Sequence, residues 1–188
     1  MPRWVGAVPY SHLVNKTWGT PTDCSGFVSW VLGAGRDLKA YEYASDSFSS
    51  RITTDDLRYG DIVTHVFDGS DVVKRCGGAT SNTKALGHPS GHVFFFDRWN
   101  DTEHTAFWAF ESTETEDQTP ACKAQHGLLT RSHCLNHHVV KRRKSIDKWA
   151  NESCTDSTYG RVSGGARRLS ADLLCLNSTD VAAMRVHA

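Results

Sequence analysis

No apolar run in this chain of 188 residues is long enough to cross a bilayer. A spanning helix needs about 20 consecutive apolar residues, and apolar stretches such as residues 27–32, interrupted by Ser29, and 93–96 fall far short of that. Net charge is missing too. The 21 Lys and Arg balance 21 Asp and Glu, so no global field draws the chain to nucleic acid or to an anionic membrane, and neither is an expected partner. Internal repeats and low-complexity tracts are absent. His126, His133, Cys134, His137 and His138 crowd one region without any Cys-x-x-Cys pair, so a polar surface with one disulfide is expected there, with no metal and no cofactor.

What is present suits one folded domain with substantial loops: 39% apolar and 22% charged residues. A core domain over residues 1–145 is expected, with residues 146–188 as a C-terminal extension packed on it and the molecule a monomer. Residues 1–10 hold one Arg and no apolar run of signal-peptide length. The expectation of a secreted protein rests instead on six cysteines and on Asn-x-Ser/Thr sequons at Asn15, Asn100, Asn151 and Asn177, four of the six asparagines. A merely Ser/Thr-rich loop composition is the competing explanation. If Cys24 is a free thiol, at most two disulfides remain, and the sequence-local pairings are Cys122 with Cys134 and Cys154 with Cys175, leaving Cys76 over.

Residues 4–22 carry Pro9, Gly19 and Pro21 and read as an extended lead-in. Phe27, Val28, Val31 and Leu32 then fall at helical spacing, with Asp23 or Ser25 as N-cap and Gly33 and Gly35 as terminators, which predicts a buried helix over residues 24–32. Residues 37–56 predict a polar loop with a short helix. Strands are predicted at 62–67, at 91–99 returning through 105–112 as a hairpin, and at 127–130 and 137–142. The breaker-rich stretch 68–90 predicts a long loop, and 169–176 a helix.

A cysteine in the first turn of a buried helix meets the positive end of the helix dipole, which favours the nucleophilic thiolate. Cys24 holds that position, with Gly26 two residues on, where a substrate or neighbouring strand can approach closely. An arbitrary cysteine is more often a disulfide half or a small buried hydrophobe. Gly91-His92 at the head of the most apolar strand changes the balance, because an imidazole near pKa ~6.5 can take the thiol proton and return it to a leaving amine. A third group must orient that imidazole. Glu111 ends the returning arm of the hairpin and is the candidate; a solvated surface charge is the equal alternative. Asp97 and Glu103 lie nearer the hairpin turn.

Taken in order, Val8-Pro9-Tyr10, Trp18-Gly19, Asp23-Cys24-Ser25-Gly26-Phe27-Val28, Gly60-Asp61-Ile62-Val63 and Gly91-His92-Val93-Phe94-Phe95-Phe96 resemble the NlpC/P60 superfamily and its relatives, the CHAP amidases. The resemblance spans roughly residues 8–145. It implies an α+β, papain-like fold in which a helix bearing the nucleophile packs on an antiparallel β-sheet carrying the histidine. It further implies metal-free acyl-enzyme chemistry on peptidoglycan or cell-wall peptides. On that basis Cys24, His92 and Glu111 are the expected catalytic residues, and Tyr10, Trp18, Asp23, Ser25 and Gly91 the expected substrate-binding ones. The third position in NlpC/P60 peptidases is commonly His, Asn or Gln, and Glu111 is closer to the CHAP branch.

The expected activity is therefore that of a cysteine peptidase cutting stem peptides. N-acetylmuramoyl-L-alanine amidase is the alternative within the same chemistry, and a catalytically silent wall-binding or effector protein the alternative outside it. His12 is expected to be a loop residue. Lys141-Arg142-Arg143-Lys144 reads as a solvated strand end, and the six tryptophans, Trp149 among them, as core or groove lining.

Overall fold

The computed structural model describes residues 10–14, 19–66, 91–114, 133–141, 153–156 and 160–170, together with Val8, Lys16 and Trp149. The chain is α+β. Helix α1 (Cys24–Leu32) and the short α2 (Ala40–Tyr43) precede strand β1 (Ser49–Arg51), a 3-10 turn (Thr54–Asp56), and strands β2 (Ile62–His65), β3 (His92–Trp99), β4 (Ala106–Glu114), β5 (His133–Lys141), β6 (Ser153–Asp156), β7 (Gly160–Ser163) and β8 (Gly165–Leu169). Six strands form one antiparallel sheet in the order β1-β8-β2-β3-β4-β5, and β6 with β7 forms a separate hairpin.

Helix α1 has the predicted bounds because its apolar positions and its caps agree. Phe27, Val28, Val31 and Leu32 are buried against Ile62, Val93 and Phe95, with the Phe27 and Phe95 rings edge to face at 5.9 Å. Gly33 ends the helix in the left-handed region (φ 61°), its N–H returning to the carbonyls of Ser29 and Trp30. Gly26 is glycine for a packing reason: a Cβ there would stand 2.1 Å from the Pro21 carbonyl oxygen. The close neighbour anticipated for Gly26 is thus the chain's own turn. The opposite face of the sheet buries Val63, Phe94, Phe96, Phe107, Ala109 and Ala166, with Leu57 covering them.

Two expectations are corrected. Residues 146–188 are not simply an extension packed on a finished domain, because β8 lies inside the main sheet, hydrogen-bonded to β1 on one side and β2 on the other. Leu169 belongs to that strand rather than opening a helix, and residues 171–176 lie outside the described residues. The alternation Ala166, Arg167, Arg168, Leu169 hid the strand, since it carries two cations where a central strand normally carries apolar side chains. The first of them is fully buried. Arg167 donates from Nε to Ser49 Oγ at 2.6 Å, from Nη1 to Ser163 O at 2.9 Å, and from Nη2 to Ser49 O at 2.5 Å and Asp46 Oδ1 at 2.7 Å. Burial pushes its pKa down from the ordinary value, and the hydrogen bond and charge of Asp46 oppose this. Arg168 pairs with Asp61, donating from Nε at 3.0 Å and Nη2 at 2.8 Å.

Strand β1 forms within the stretch 37–56, where the residues predict a loop with a short helix, and the predicted strand 127–130 and loop 68–90 lie outside the described residues. So do Cys76, Cys122 and Cys175, together with the side chains of Cys134 and Cys154, and with them the expected disulfides. The hairpin is present as β3 and β4, with a register shift between Phe96 and Arg98.

Replacing Arg167 by Met keeps the length of the side chain and strips several buried acceptors of their donor, at about 1–3 kcal/mol for each one left unsatisfied. Arg167→Met is expected to lower unfolding free energy in urea by about 2–4 kcal/mol, whereas Arg58→Met, on the surface, stays within about 0.5 kcal/mol of the parent.

Candidate active site

The site begins with the cap of α1. Asp23 is the N-cap residue, and its Oδ1 accepts the Gly26 N–H at 2.7 Å and the Ser25 hydroxyl at 3.3 Å. Its Oδ2 lies 3.1 Å from His12 Nδ1. Asp23 and Ser25 are both buried, so their polar groups act on the helix terminus and on each other rather than standing open to a ligand. Both hold the first turn of the helix. His12, read as a plain loop residue, completes the carboxylate's set of donors.

Cys24, the first residue of α1, is a free thiol and 7% exposed. What seats it is the turn before it. The Ser112 hydroxyl of β4, itself buried, donates to Thr22 O at 2.8 Å, and the Thr22 N–H donates to Ser11 O at 3.0 Å. The helix N-terminus is thereby held between the lead-in segment and the strand that carries Glu111. Tyr10 is half-buried in that lead-in, edge-on to the His12 ring at 5.2 Å. Trp18 lies outside the described residues.

His92 opens β3, and its Nε2 meets Glu111 Oε1 at 2.5 Å. Phe95 pairs with Phe110, so the register carried on places Glu111 opposite Phe94, on the same face as His92 and two positions away. Long side chains reach across such a diagonal. With Nε2 engaged by Glu111, Nδ1 is the ring nitrogen that remains, and Cys24 is the other group that acts on the imidazole. Burial by itself pushes the imidazole pKa down. The negative charge on Cys24 and the hydrogen bond to it, then the hydrogen bond and charge of Glu111, outweigh burial and raise the pKa to about 10. The imidazole is therefore a cation at neutral pH, held between a sulfur and a carboxylate.

Gly91 is also glycine for packing, since a Cβ there would approach His65 O at 3.1 Å and the Ala40 Cβ at 3.3 Å. That contact lets α2 and β2 close in beside the histidine. Asp97 serves a different group: its Oδ2 lies 2.8 Å from His137 Nε2 and 2.7 Å from Arg98 Nη1. His133 and His137 are four residues apart on strand β5, where a rise of ~3.4 Å per residue keeps their backbones roughly 13 Å apart. One helical turn would have brought them together; a strand does not. Among the described residues no group of three or more His, Cys, Asp or Glu is placed to hold a metal ion.

Two neighbours of the site carried no signal that sequence reasoning used. His65 is the direct cross-strand partner of His92, and Trp149 stacks on the His65 ring at 4.7 Å and 26°. Only the pairing of β2 with β3 makes them neighbours. Compared with family models, curated proteins and solved structures, the chain matches none of them. What the site can do follows from its own geometry.

Because the folded-state pKa of His92 lies above the ~6.5 of an unfolded chain, this proton stabilises the fold fully below about pH 6.5 and stops doing so as pH rises through about 10. The stability difference between the parent and His92→Gln, measured by urea unfolding, is expected to shrink steadily from pH 6.5 to pH 10. A difference that grows over that range would contradict the charged pairing.

Proposed function

We propose that the chain is a secreted cysteine hydrolase with a papain-like fold of the NlpC/P60 type, cleaving amide bonds in peptidoglycan stem peptides. One observation carries the chemical part of this reading: a free thiol in the first turn of a helix, an imidazole that interacts with it, and a half-buried carboxylate 2.5 Å from that imidazole's Nε2. The substrate class rests on the resemblance of the Asp-Cys-Ser-Gly, Gly-Asp and Gly-His-Val blocks.

In the forward step the Cys24 sulfur attacks the scissile carbonyl carbon, and the carbonyl π electrons move to oxygen. The N–H groups of Cys24 and Ser25, ahead of the Gly26 N–H taken by Asp23, are the donors placed for that oxyanion. His92 then gives its proton to the departing amine nitrogen as the C–N bond breaks, leaving a thioester on Cys24. Neutral His92 next takes a proton from water, whose oxygen attacks the thioester. The acid leaves and the thiolate and imidazolium are restored. Glu111 keeps the ring oriented and stabilises its charge in both half-reactions.

A second reading within this chemistry, N-acetylmuramoyl-L-alanine amidase, draws support from the carboxylate at the third position, where the CHAP branch is closer than the peptidases. The catalytically silent reading is disfavoured by two facts it does not require, a thiol that is not in a disulfide and a Glu111 turned to His92. Secretion is supported by the sequon asparagine Asn100, which is exposed on the turn between β3 and β4.

Digestion of purified peptidoglycan, with the muropeptide products identified by mass, tests the reading and names the bond. Cys24→Ala is expected to abolish product, by at least ~10³-fold. Glu111→Gln keeps the shape and removes the charge, and is expected to cut kcat by roughly 10²–10⁴-fold. Iodoacetamide is expected to label Cys24 of the folded parent, the site being identified by mass. An intact, folded protein whose Cys24 resists labelling and which releases no product would sink the proposal.

A further inference from the structure

The row of side chains on the β2 side of His92 is not used by the mechanism above. Directly opposite His92 in the sheet stands His65, and against the His65 ring lies Trp149, stacked at 4.7 Å and inclined by 26°. Opposed residues in an antiparallel pair project to the same face with their Cβ atoms about 5 Å apart. His92, His65 and Trp149 thus form a row on one face of the sheet, and Val63 and Phe94, the next opposed pair on that face, continue it as buried core. Trp149 packs against that core while remaining partly exposed, which fixes its ring without removing it from solvent.

The direction of the chemistry says which part of a substrate meets this row. The acyl carbon must lie at Cys24, and the leaving nitrogen must lie at His92, the group that protonates it. A substrate therefore extends beyond His92 on its amine side. Gly91 lets α2 and β2 close in at the strand end, and on the β2 side of His92 the rings of His65 and Trp149 are the surfaces that follow.

The geometry points to a leaving-group subsite walled by His65 and Trp149 that takes an amine whose side chain offers an extended or flat hydrocarbon surface, in preference to a glycine-like amine. The inference rests on the hydrolase reading and adds to it the chemistry of the residue on the amine side of the scissile bond. A ring face of tryptophan is large and apolar, and a second ring or a hydrocarbon stem laid along it removes apolar area from water. A glycine-like residue leaves the wall uncovered.

Acyl transfer tests this with the full chain and two simple amines. Para-nitrophenyl acetate acetylates Cys24, releasing p-nitrophenolate and leaving an acetyl thioester. Added phenylalaninamide or glycinamide then competes with water. The amine nitrogen attacks the thioester carbon, the C–S bond breaks, the amine proton passes through His92, and an N-acetyl amide is released with the thiolate restored. The parent is expected to transfer acetyl to phenylalaninamide roughly five to ten times more efficiently than to glycinamide, the size of an aromatic contact. Trp149→Leu, which keeps an apolar group against the core, is expected to bring the ratio close to one.

A burst with equal transfer to both amines in the parent overturns the subsite and leaves the hydrolase reading standing. A burst no larger than that of Cys24→Ala overturns the hydrolase reading, and the subsite with it. The parent ratio decides the matter even if Trp149→Leu does not fold.

Discussion

The seat of helix α1 on the sheet is the constraint from which the site follows. A thiol at a helix N-terminus acquires a partner only if the turn before it is held at the strand ends. Here that hold is a buried hydroxyl, Ser112, donating to the carbonyl of Thr22 across 90 residues of sequence. Gly26 completes it by admitting the Pro21 carbonyl against the helix, a contact with no room for a methyl group. Asp23 caps the same turn from within and ties it to His12 of the lead-in. Each contact is modest by itself, since a neutral hydrogen bond contributes about 1 kcal/mol net. Together they leave the first turn one place to be, beside the strand that carries Glu111.

The sheet that receives the helix depends on its last described strand. β8 enters between β1 and β2 and brings Arg167 into the interior, where a chain of serine and carbonyl acceptors meets the guanidinium. A buried cation is costly unless its donors are satisfied, and the planar fork of arginine suits several acceptors at once. β2 then lies between β8 and β3. The position of His92 is therefore set in part by residues more than seventy positions downstream, a long-range dependence typical of antiparallel sheets.

Electrostatics at the site follow from this packing. An imidazole buried alone loses its proton more readily; flanked by sulfur and carboxylate it keeps it. Glu111 and His92 are placed by the alternation of one hairpin, and Cys24 by a helix from elsewhere in the chain. The sheet thus holds the imidazole and the carboxylate while the helix presents the thiol, with no loop among the three.

Much of this was legible in the residues themselves. Helix α1 could be read to its ends because apolar spacing, cap and terminating glycine all agree, and the β3–β4 hairpin because eight and nine residues of apolar, β-prone sequence flank a polar turn. Cys24, His92 and Glu111 stand at or near element ends in the sequence pattern, and the structure brings them together. Local sequence could not show that β8 lies within the sheet, because a strand bearing two arginines looks solvated until its acceptors, distant in the chain, are assembled around it. Nor could it show that Asp23 and Ser25 serve the helix cap, that Ser112 anchors the turn before Cys24, or that Trp149 stands two rings from His92. Periodicity and capping are written in neighbouring residues, and they determined the elements. Register, strand order and the partners of buried polar groups are relations between segments far apart in sequence, and only the closed tertiary structure decided them.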